Sequence, residues 1–241
     1  MIRTDAPSLP PGPTPCAGQA TVRVGLYGGA FDPPHLAHVA LAREAVRQLG
    51  LDRLYIVPTG QPWMKERRLT DPAHRLAMAR LAFAGLPEVV VDDCELRRQG
   101  TTYTIDTLRE LQQREARRQG PCGTEWFLVM GQDLVATLPR WQRAQELLQE
   151  VTVAVLGRPG SAAADLQADL DRVRASLPQL RCVQVHLPPS AISSTAIRER
   201  LAQAGATAFQ ASSLAWLSSL VPPEVARYIA LHQLYRHPDG H

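Results

Sequence analysis

The sequence predicts an α/β fold, a doubly wound parallel sheet of about six strands with a small C-terminal helical extension. Three observations predict it. Short β-branched runs alternate with longer amphipathic runs, the connections are long enough to join parallel strands, and the strands are almost wholly apolar, as strands buried on both faces are. In such sheets ligands bind beyond the carboxyl ends of the strands, at the point where the direction of winding changes.

The strands and helices follow one another in regular order. The six strand segments are residues 22–27, 53–58, 89–93, 126–130, 151–156 and 181–187. Apolar residues spaced three and four apart identify the helices between them. The first helix extends from the residue after His38 to residue 49, and the others cover residues 72–84, 105–118, 140–149 and 164–175. A further helix starts near Ala196, and a last one, opened by Pro-Pro-Glu at 222–224, runs to Tyr235.

Length and composition predict a single folded domain. Of the 241 residues, 45% are hydrophobic and 20% charged, which excludes disorder, collagen and coiled coil as the main state. We assign residues 22–241 to this domain, in which 22–187 supply the sheet and 188–241 the C-terminal helices. Residues 1–21 contain five prolines and few apolar residues, so we expect a flexible tail.

Charge and cysteine content limit the partners. A net charge of +3 is too balanced for a protein whose main task is to bind nucleic acid, whereas a small anionic substrate suits it. The four cysteines form no C-x-x-C pair and no apolar secretory signal is evident, so we expect a cytoplasmic protein. The longest uncharged run, 201–223, is broken by polar residues and prolines and predicts no membrane span. The oligomeric state stays open, a homo-oligomer included.

A glycine pair follows the first strand, and two histidines open the next helix. Gly28 and Gly29 allow positive φ and a close approach of the main chain, which a phosphate held by N–H groups requires. The glycine spacing matches neither the dinucleotide pattern nor the P-loop pattern.

His35 and His38 share a face at the positive end of the helix, where two imidazoles suit a phosphate. A metal site with Asp32 as third ligand and a purely structural pair remain alternatives.

Hydroxyl residues and an arginine surround the start of a later helix. Ser193, Ser194 and Thr195 are of the types that cap N–H groups or bind an anion beside them. Arg198, in the first turn, opposes the helix dipole, a cost that a bound polyanion would reverse. Taken alone, this segment is more often only a helix cap.

Together the two segments resemble the motifs of one superfamily. GGAFDPPHLAH (28–38) resembles the GG[ST]FDPxHxGH motif of nucleotidyltransferases, with Ala30 for Ser/Thr and Ala37 for Gly. ISSTAIR (192–198) resembles their second motif, which grips the ATP phosphates. The resemblance implies a Rossmann-like fold. It also implies ATP contacts from Gly28, Gly29, Ala30, Phe31, Ser193, Ser194 and Thr195.

Further segments are similar to one branch of that superfamily, the nicotinate-nucleotide adenylyltransferases. The similarity extends from residue 22 to residue 235. The matching segments are PTGQPWMK (58–65), HRLAMARLA (74–82), YTIDTLREL (103–111), GQD (131–133), LPRW (138–141), RPG (158–160) and LVPPEVARYIALHQLY (220–235).

The resemblance implies ATP and nicotinate mononucleotide as substrates, with AMP transferred and pyrophosphate released in NAD biosynthesis. His35 and His38 would donate to α- and β-phosphate oxygens, and Arg198 and Lys65 would contact the pyrophosphate. Lys65 is the single lysine among 26 basic residues, which favours a phosphate-binding role unless its occurrence is chance. The nucleotide implies Mg²⁺, held by phosphate oxygens and water with few protein ligands.

Four residues are candidates for binding the acceptor. The backbone of Tyr103 and Thr104, ahead of a helix, suits the ring carboxylate and would favour acid over amide. Trp141 would stack on the pyridine ring, with core packing as the alternative, and Asp133, just past a strand, suits ribose hydroxyls. Three other functions remain: transfer to nicotinamide mononucleotide or another phosphate, a non-catalytic nucleotide sensor, and a zinc hydrolase.

Overall fold

The structure, a computed structural model, describes residues 21–62, 69–119, 123–156, 163–187, 190–205 and 209–236. Residues 1–20 of the predicted tail and Lys65 therefore lie outside the described residues. In chain order the elements are β1 (Val22–Gly29), α1 (Leu36–Leu49), β2 (Arg53–Pro58), β3 (Gln61–Pro62), α2 (Pro72–Phe83), β4 (Val89–Val91), α3 (Cys94–Arg97), β5 (Thr101–Thr102), α4 (Thr104–Gln119), β6 (Thr124–Gly131), a 3₁₀ helix (Gln132–Arg140), α5 (Ala144–Glu150), β7 (Thr152–Leu156), α6 (Ala163–Ser176), β8 (Cys182–Val185), α7 (Ser194–Ala204), α8 (Ala211–Ser218) and α9 (Pro223–Leu231).

The main sheet confirms the predicted six parallel strands, in the order β4-β2-β1-β6-β7-β8. The chain winds outward from β1 through β2 to β4, and in the opposite direction from β6 through β7 to β8. The switch point therefore lies between β1 and β6. β1 is two residues longer than predicted, because Gly28 and Gly29 still pair with Val57 and Pro58 of β2. β4 ends earlier, where the Asp92 carboxylate accepts a hydrogen bond from the Cys94 N–H at 2.9 Å.

Two apolar layers cover the sheet, as the doubly wound prediction requires. Along β2, Leu54 and Ile56 face one layer, and Tyr55 and Val57 face the other. The first layer contains α1, α2 and the C-terminal helices, and the second contains α4, α5 and α6. The C-terminal helices contribute fully buried residues such as Ile229 to the first layer. The C-terminal extension is therefore part of the core that covers one face.

Helix boundaries also differ from the prediction at two places. Of the expected helix 140–149, the residues from Ala144 onward form α5, whereas Arg140 is the last residue of the preceding 3₁₀ helix. Arg143, between the two helices, has φ 52°. A residue with positive φ cannot continue a helix, which explains the break. The last helix ends at Leu231, and Tyr235 lies beyond it with φ 65°.

A second, two-stranded sheet was not predicted. β3 and β5 pair in parallel, with Gln61 opposite Thr101, and two residues are too few to show an alternating pattern. Within the part of the chain that the structure describes, no helix is long and apolar enough to cross a membrane.

Candidate active site

A cavity of about 700 Å³ opens at the carboxyl ends of the central strands, at the switch point. Both sequence motifs and most of the acceptor-side candidates line it. Of the predicted site residues, the lining includes Gly28, Gly29, Ala30, Phe31, His35, His38, Thr104, Asp133, Trp141, Ser193, Ser194, Thr195 and Arg198. The fold thus brings segments from across the sequence into one wall.

The glycine pair differs from its predicted conformation. Gly28 and Gly29 are strand residues, and the positive φ at this strand end belongs to Phe31, at 47°. The Phe31 ring is 1% exposed and folds back over Gly29, where an added Cβ would lie 3.0 Å from the ring. A Cβ on Gly28 would meet no atom within 4 Å. Close approach therefore explains Gly29, and Gly28 leaves room in the cavity.

The two histidines are fixed by the start of α1. His35 is the N-cap residue and His38 the third residue of the helix, so Pro33 and Pro34 precede the cap and do not occupy the first turn. The two rings stack, with centroids 3.7 Å apart. The His35 N–H donates to His38 Nδ1 at 3.1 Å. Because Nδ1 accepts, a neutral His38 ring carries its proton on Nε2 and is a donor there.

Burial keeps the His35 ring neutral. The residue is 6% exposed, and its Nδ1 is buried without a hydrogen-bond partner. Desolvation disfavours the charged imidazolium and lowers the pKa of His35 to about 4. At neutral pH the cavity wall therefore contains a neutral imidazole.

Asp32 holds the turn together from within. Its side chain is 1% exposed; Oδ1 accepts from the Tyr235 hydroxyl at 2.8 Å and Oδ2 from the Thr70 N–H at 3.3 Å. These bonds tie the loop before α1 to the start of α2 and to the end of the described chain. The carboxylate is thus engaged in the interior, which argues against Asp32 as the third ligand of a histidine metal site.

The second motif binds directly to the first. Ser193 is the N-cap residue of α7, and its Oγ accepts from the Ala196 N–H at 3.2 Å. Ser194 Oγ donates to the Pro33 carbonyl at 2.9 Å. Ser194 and Thr195 are thus the first two helical residues; only Ser193 precedes the helix.

Arg198 reaches back to the histidine loop. It is the fifth residue of α7 and lies in the second turn, not in the first as predicted, because the helix starts at Ser194, two residues before the expected start. Its Nη1 donates to the Asp32 carbonyl at 2.7 Å, and its Nη2 to Thr195 Oγ1 at 3.2 Å. A fixed positive charge thus lies at the cavity beside the histidines.

The opposite side of the cavity contains the acceptor-side candidates. Thr104 is the first residue of α4 and lines the cavity. Trp141 also lines it, and its indole Nε1 donates to Thr137 Oγ1 at 2.9 Å. Asp133 is exposed in the 3₁₀ helix after β6. The side chain of Tyr103 packs against the apolar layer that contains α4 and is outside the described cavity lining.

Glu95 is a cavity residue that the sequence interpretation missed. It is 8% exposed; Oε2 accepts from the Gly60 N–H at 3.2 Å and Oε1 from Thr107 Oγ1 at 2.8 Å. Thr102 lies next to it in the lining, with its hydroxyl oxygen buried and without a partner. The available signal was position, since Glu95 closely follows the carboxyl end of β4, at the edge where ligands bind.

Comparisons with known proteins agree with this architecture. The family described as Cytidylyltransferase-like matches residues 26–200. A protein of Albidiferax ferrireducens named "Probable nicotinate-nucleotide adenylyltransferase" is 44% identical over 89% of this chain and 98% of its own length. A protein of the same name from Methylibium petroleiphilum is 43% identical over 90% of this chain and 94% of its own.

A solved structure is similar in fold. The Plasmodium falciparum nicotinic acid mononucleotide adenylyltransferase complexed with NaAD superimposes with a TM-score of 0.66 at 18% identity, covering 89% of this chain and 98% of its own. The parallel sheet with both motifs at its switch point defines a nucleotidyltransferase. Within this class, as the curated relatives show, the chain belongs to the nicotinate-nucleotide adenylyltransferase family.

Proposed function

We propose that this protein transfers the adenylyl group of ATP to nicotinate mononucleotide, giving nicotinate adenine dinucleotide and pyrophosphate in NAD biosynthesis. One observation carries the proposal. The GGAFDPPHLAH segment, the ISSTAIR segment and the acceptor-side residues Thr104 and Trp141 line one cavity of about 700 Å³. That volume is in the range of sites that enclose a small-molecule ligand.

The reaction requires that the two phosphates be aligned and that charge on the transferred group be stabilised. An oxygen of the acceptor's 5′-phosphate attacks the α-phosphorus of ATP, and the bond from that phosphorus to the bridging oxygen of the β-phosphate breaks. The nucleophile is already an anion, so no protein nucleophile or strong base is needed. The rate then depends on how well the enzyme holds the two phosphates in line and stabilises charge on the transferred group.

We assign the second task, charge stabilisation, to the histidines. His38 Nε2–H is a donor, because His38 Nδ1 is occupied by the His35 N–H. His35 adds a second ring, neutral at this pH, to the lining of the cavity. We assign to the pair hydrogen bonds to α- and β-phosphate oxygens as negative charge develops.

The pyrophosphate is assigned to the positive side of the cavity. Arg198 keeps its charge at every relevant pH and is held by the Asp32 carbonyl. The N-terminus of α7, with Ser193, Ser194 and Thr195, adds main-chain N–H groups and the positive end of the helix dipole. Lys65 stays a prediction for the same phosphates.

The acceptor is assigned to the opposite side. The N-terminal end of α4, at Tyr103 and Thr104, suits the ring carboxylate through its main-chain amides, and the half-buried Trp141 suits the pyridine face. Asp133 suits the ribose hydroxyls. The preference for the acid over the amide follows from the charge of the carboxylate at the helix start.

Mg²⁺ fits this cavity as an ion that arrives with the triphosphate. No group of three or more His, Cys, Asp or Glu side chains among the described residues forms a metal cage, so phosphate oxygens and water would supply most ligands. When bound, the ion would offset negative charge on the phosphates. We assign the reaction to the cytoplasm, where ATP is available.

Pyrophosphate release tests the proposal. The protein is mixed with Mg-ATP and, in parallel, with nicotinate mononucleotide, nicotinamide mononucleotide or no acceptor. We expect rapid release with the acid alone. Equal release with the amide would remove the carboxylate assignment and keep the chemistry. ATP binding without release in any mixture would favour a nucleotide sensor over an enzyme.

A further inference from the structure

Arg75 lies buried beneath the cavity and binds three main-chain carbonyls. It is 1% exposed and is absent from the described lining of the cavity. Its Nε donates to the Thr70 carbonyl at 2.9 Å, and its Nη1 donates to the carbonyls of Ala30 at 3.1 Å and Thr59 at 2.7 Å. A buried guanidinium is costly unless its N–H groups find acceptors, so these bonds fix the arginine and the three loop positions together.

Two of the three carbonyls belong to residues of the cavity wall. Ala30 follows β1 and Thr59 follows β2, and both residues line the cavity. The Thr59 N–H also donates to the Gly29 carbonyl at 2.8 Å. Arg75 therefore joins the ends of two central strands where the phosphates are assigned.

The Ala30 carbonyl belongs to the peptide group that leads into a strained residue. Phe31 has φ 47°, a conformation that a bulky residue adopts only when its surroundings impose it. The Arg75 bond fixes the peptide plane before this φ. The Phe31 ring then lies edge-on to the His38 ring, with centroids 5.3 Å apart. A continuous series of contacts thus leads from Arg75 to the histidine pair.

We propose that Arg75 is a positioning residue of the nucleotide site. It orients the Ala30–Phe31 peptide group without touching substrate. The orientation of this peptide in turn fixes the conformation of the glycine loop and the position of the His38 ring. The inference rests on the proposed function insofar as the nucleotide is ATP. It does not depend on the acceptor.

Calorimetry with Mg-ATP, in the absence of acceptor, tests the proposal on the full chain. Arg75→Lys keeps the charge but cannot reach three carbonyls at once, and Arg75→Met keeps much of the volume without donors. We expect the Kd for ATP to rise about tenfold in Arg75→Lys and further in Arg75→Met, with a stoichiometry near one. In the complete reaction kcat should fall about 10²-fold, as for a displacement of about 1 Å.

A purely structural role gives a different result. If Arg75 only maintained the folded fraction, the stoichiometry would fall and the Kd of the remaining protein would equal that of the wild type, which would overturn the proposal. Arg80→Met is the matched control: its side chain, on the same helix, is 60% exposed and 3.9 Å from the Asp93 carboxylate. We expect its Kd for ATP to equal the wild-type value.

A measurement on the wild type covers the case in which both Arg75 variants fail to fold. The Nε–H resonance of Arg75 should shift when ATP is added, and that of Arg80 should not. An unmoved Arg75 resonance at saturating ATP would refute the coupling. If instead ATP binds as described but no acceptor supports pyrophosphate release, the proposed function fails and the positioning role stands.

Discussion

The His35→Gln variant should lose less stability in mild acid than the wild type does. Burial lowers the pKa of His35 to about 4, from 6.5 for an ordinary histidine. Between these values the unfolded chain binds a proton that the folded chain does not. Above pH 6.5 the ring is neutral in both states, so His35 does not change the free energy of unfolding. As the pH drops from 6.5 towards 4, protonation of the unfolded chain lowers that free energy.

The magnitude follows from the two pKa values. A difference of one in pKa corresponds to about 1.4 kcal/mol, and pH 5 lies about 1.5 below the pKa of the unfolded histidine. His35 thus accounts for about 2 kcal/mol of the stability lost between pH 7.5 and pH 5. His35→Gln keeps a polar side chain that does not titrate, so its loss over this range should be smaller by that amount.

Urea unfolding at pH 7.5 and pH 5, followed by circular dichroism, measures the free energies. His186→Gln controls for removal of one exposed imidazole, and its loss of free energy between the two pH values should equal that of the wild type. Carboxylates contribute equally to all three proteins and cancel in the comparison. The reasoning is refuted if the wild type and His35→Gln lose the same free energy of unfolding.

Three further predictions concern stability and turnover. Tyr235→Phe removes one donor from the buried Asp32 carboxylate and should lower the free energy of unfolding by about 1.5–3 kcal/mol in urea titrations. Tyr228→Phe is the control: the Tyr228 hydroxyl lies 3.0 Å from the half-buried His74 imidazole, and its removal should lower the free energy of unfolding by less. Gly29→Ala brings a Cβ to 3.0 Å from a packed ring and should cost about 1–3 kcal/mol, whereas Gly28→Ala should keep its stability and weaken ATP binding in calorimetry. Arg198→Met should reduce kcat for pyrophosphate release roughly 10²–10³-fold; a reduction below tenfold would contradict its assignment.

The strands and most helices were predictable because their signal is local. Each strand is a short apolar run, and α1 repeats apolar residues on one face, so neighbouring positions in the sequence carry the information. Two of the errors fall where a single backbone angle decides. Arg143 and Tyr235 have positive φ, which residues of their types rarely adopt and which no local pattern indicates.

The candidate site was predictable as two segments, and its assembly was not. The glycine–histidine run and the serine–arginine run are visible in the sequence, as is their chemistry. Nothing local indicates that Ser194 binds the Pro33 carbonyl, 161 positions away. Nor does Glu95, a single acidic residue after a strand, stand out before the fold turns it into the cavity.

By itself the sequence determined the fold class, the two segments to which phosphate binding is assigned and the chemistry that their residues suit. The tertiary structure alone decided three things: that positive φ belongs to Phe31, that His35 is buried and neutral, and that Arg75 and Asp32 fix the loops around the cavity. The physical reason is distance along the chain. Hydrophobic period and turn chemistry depend on adjacent residues, whereas desolvation and the choice of a hydrogen-bond partner depend on groups that only folding brings together.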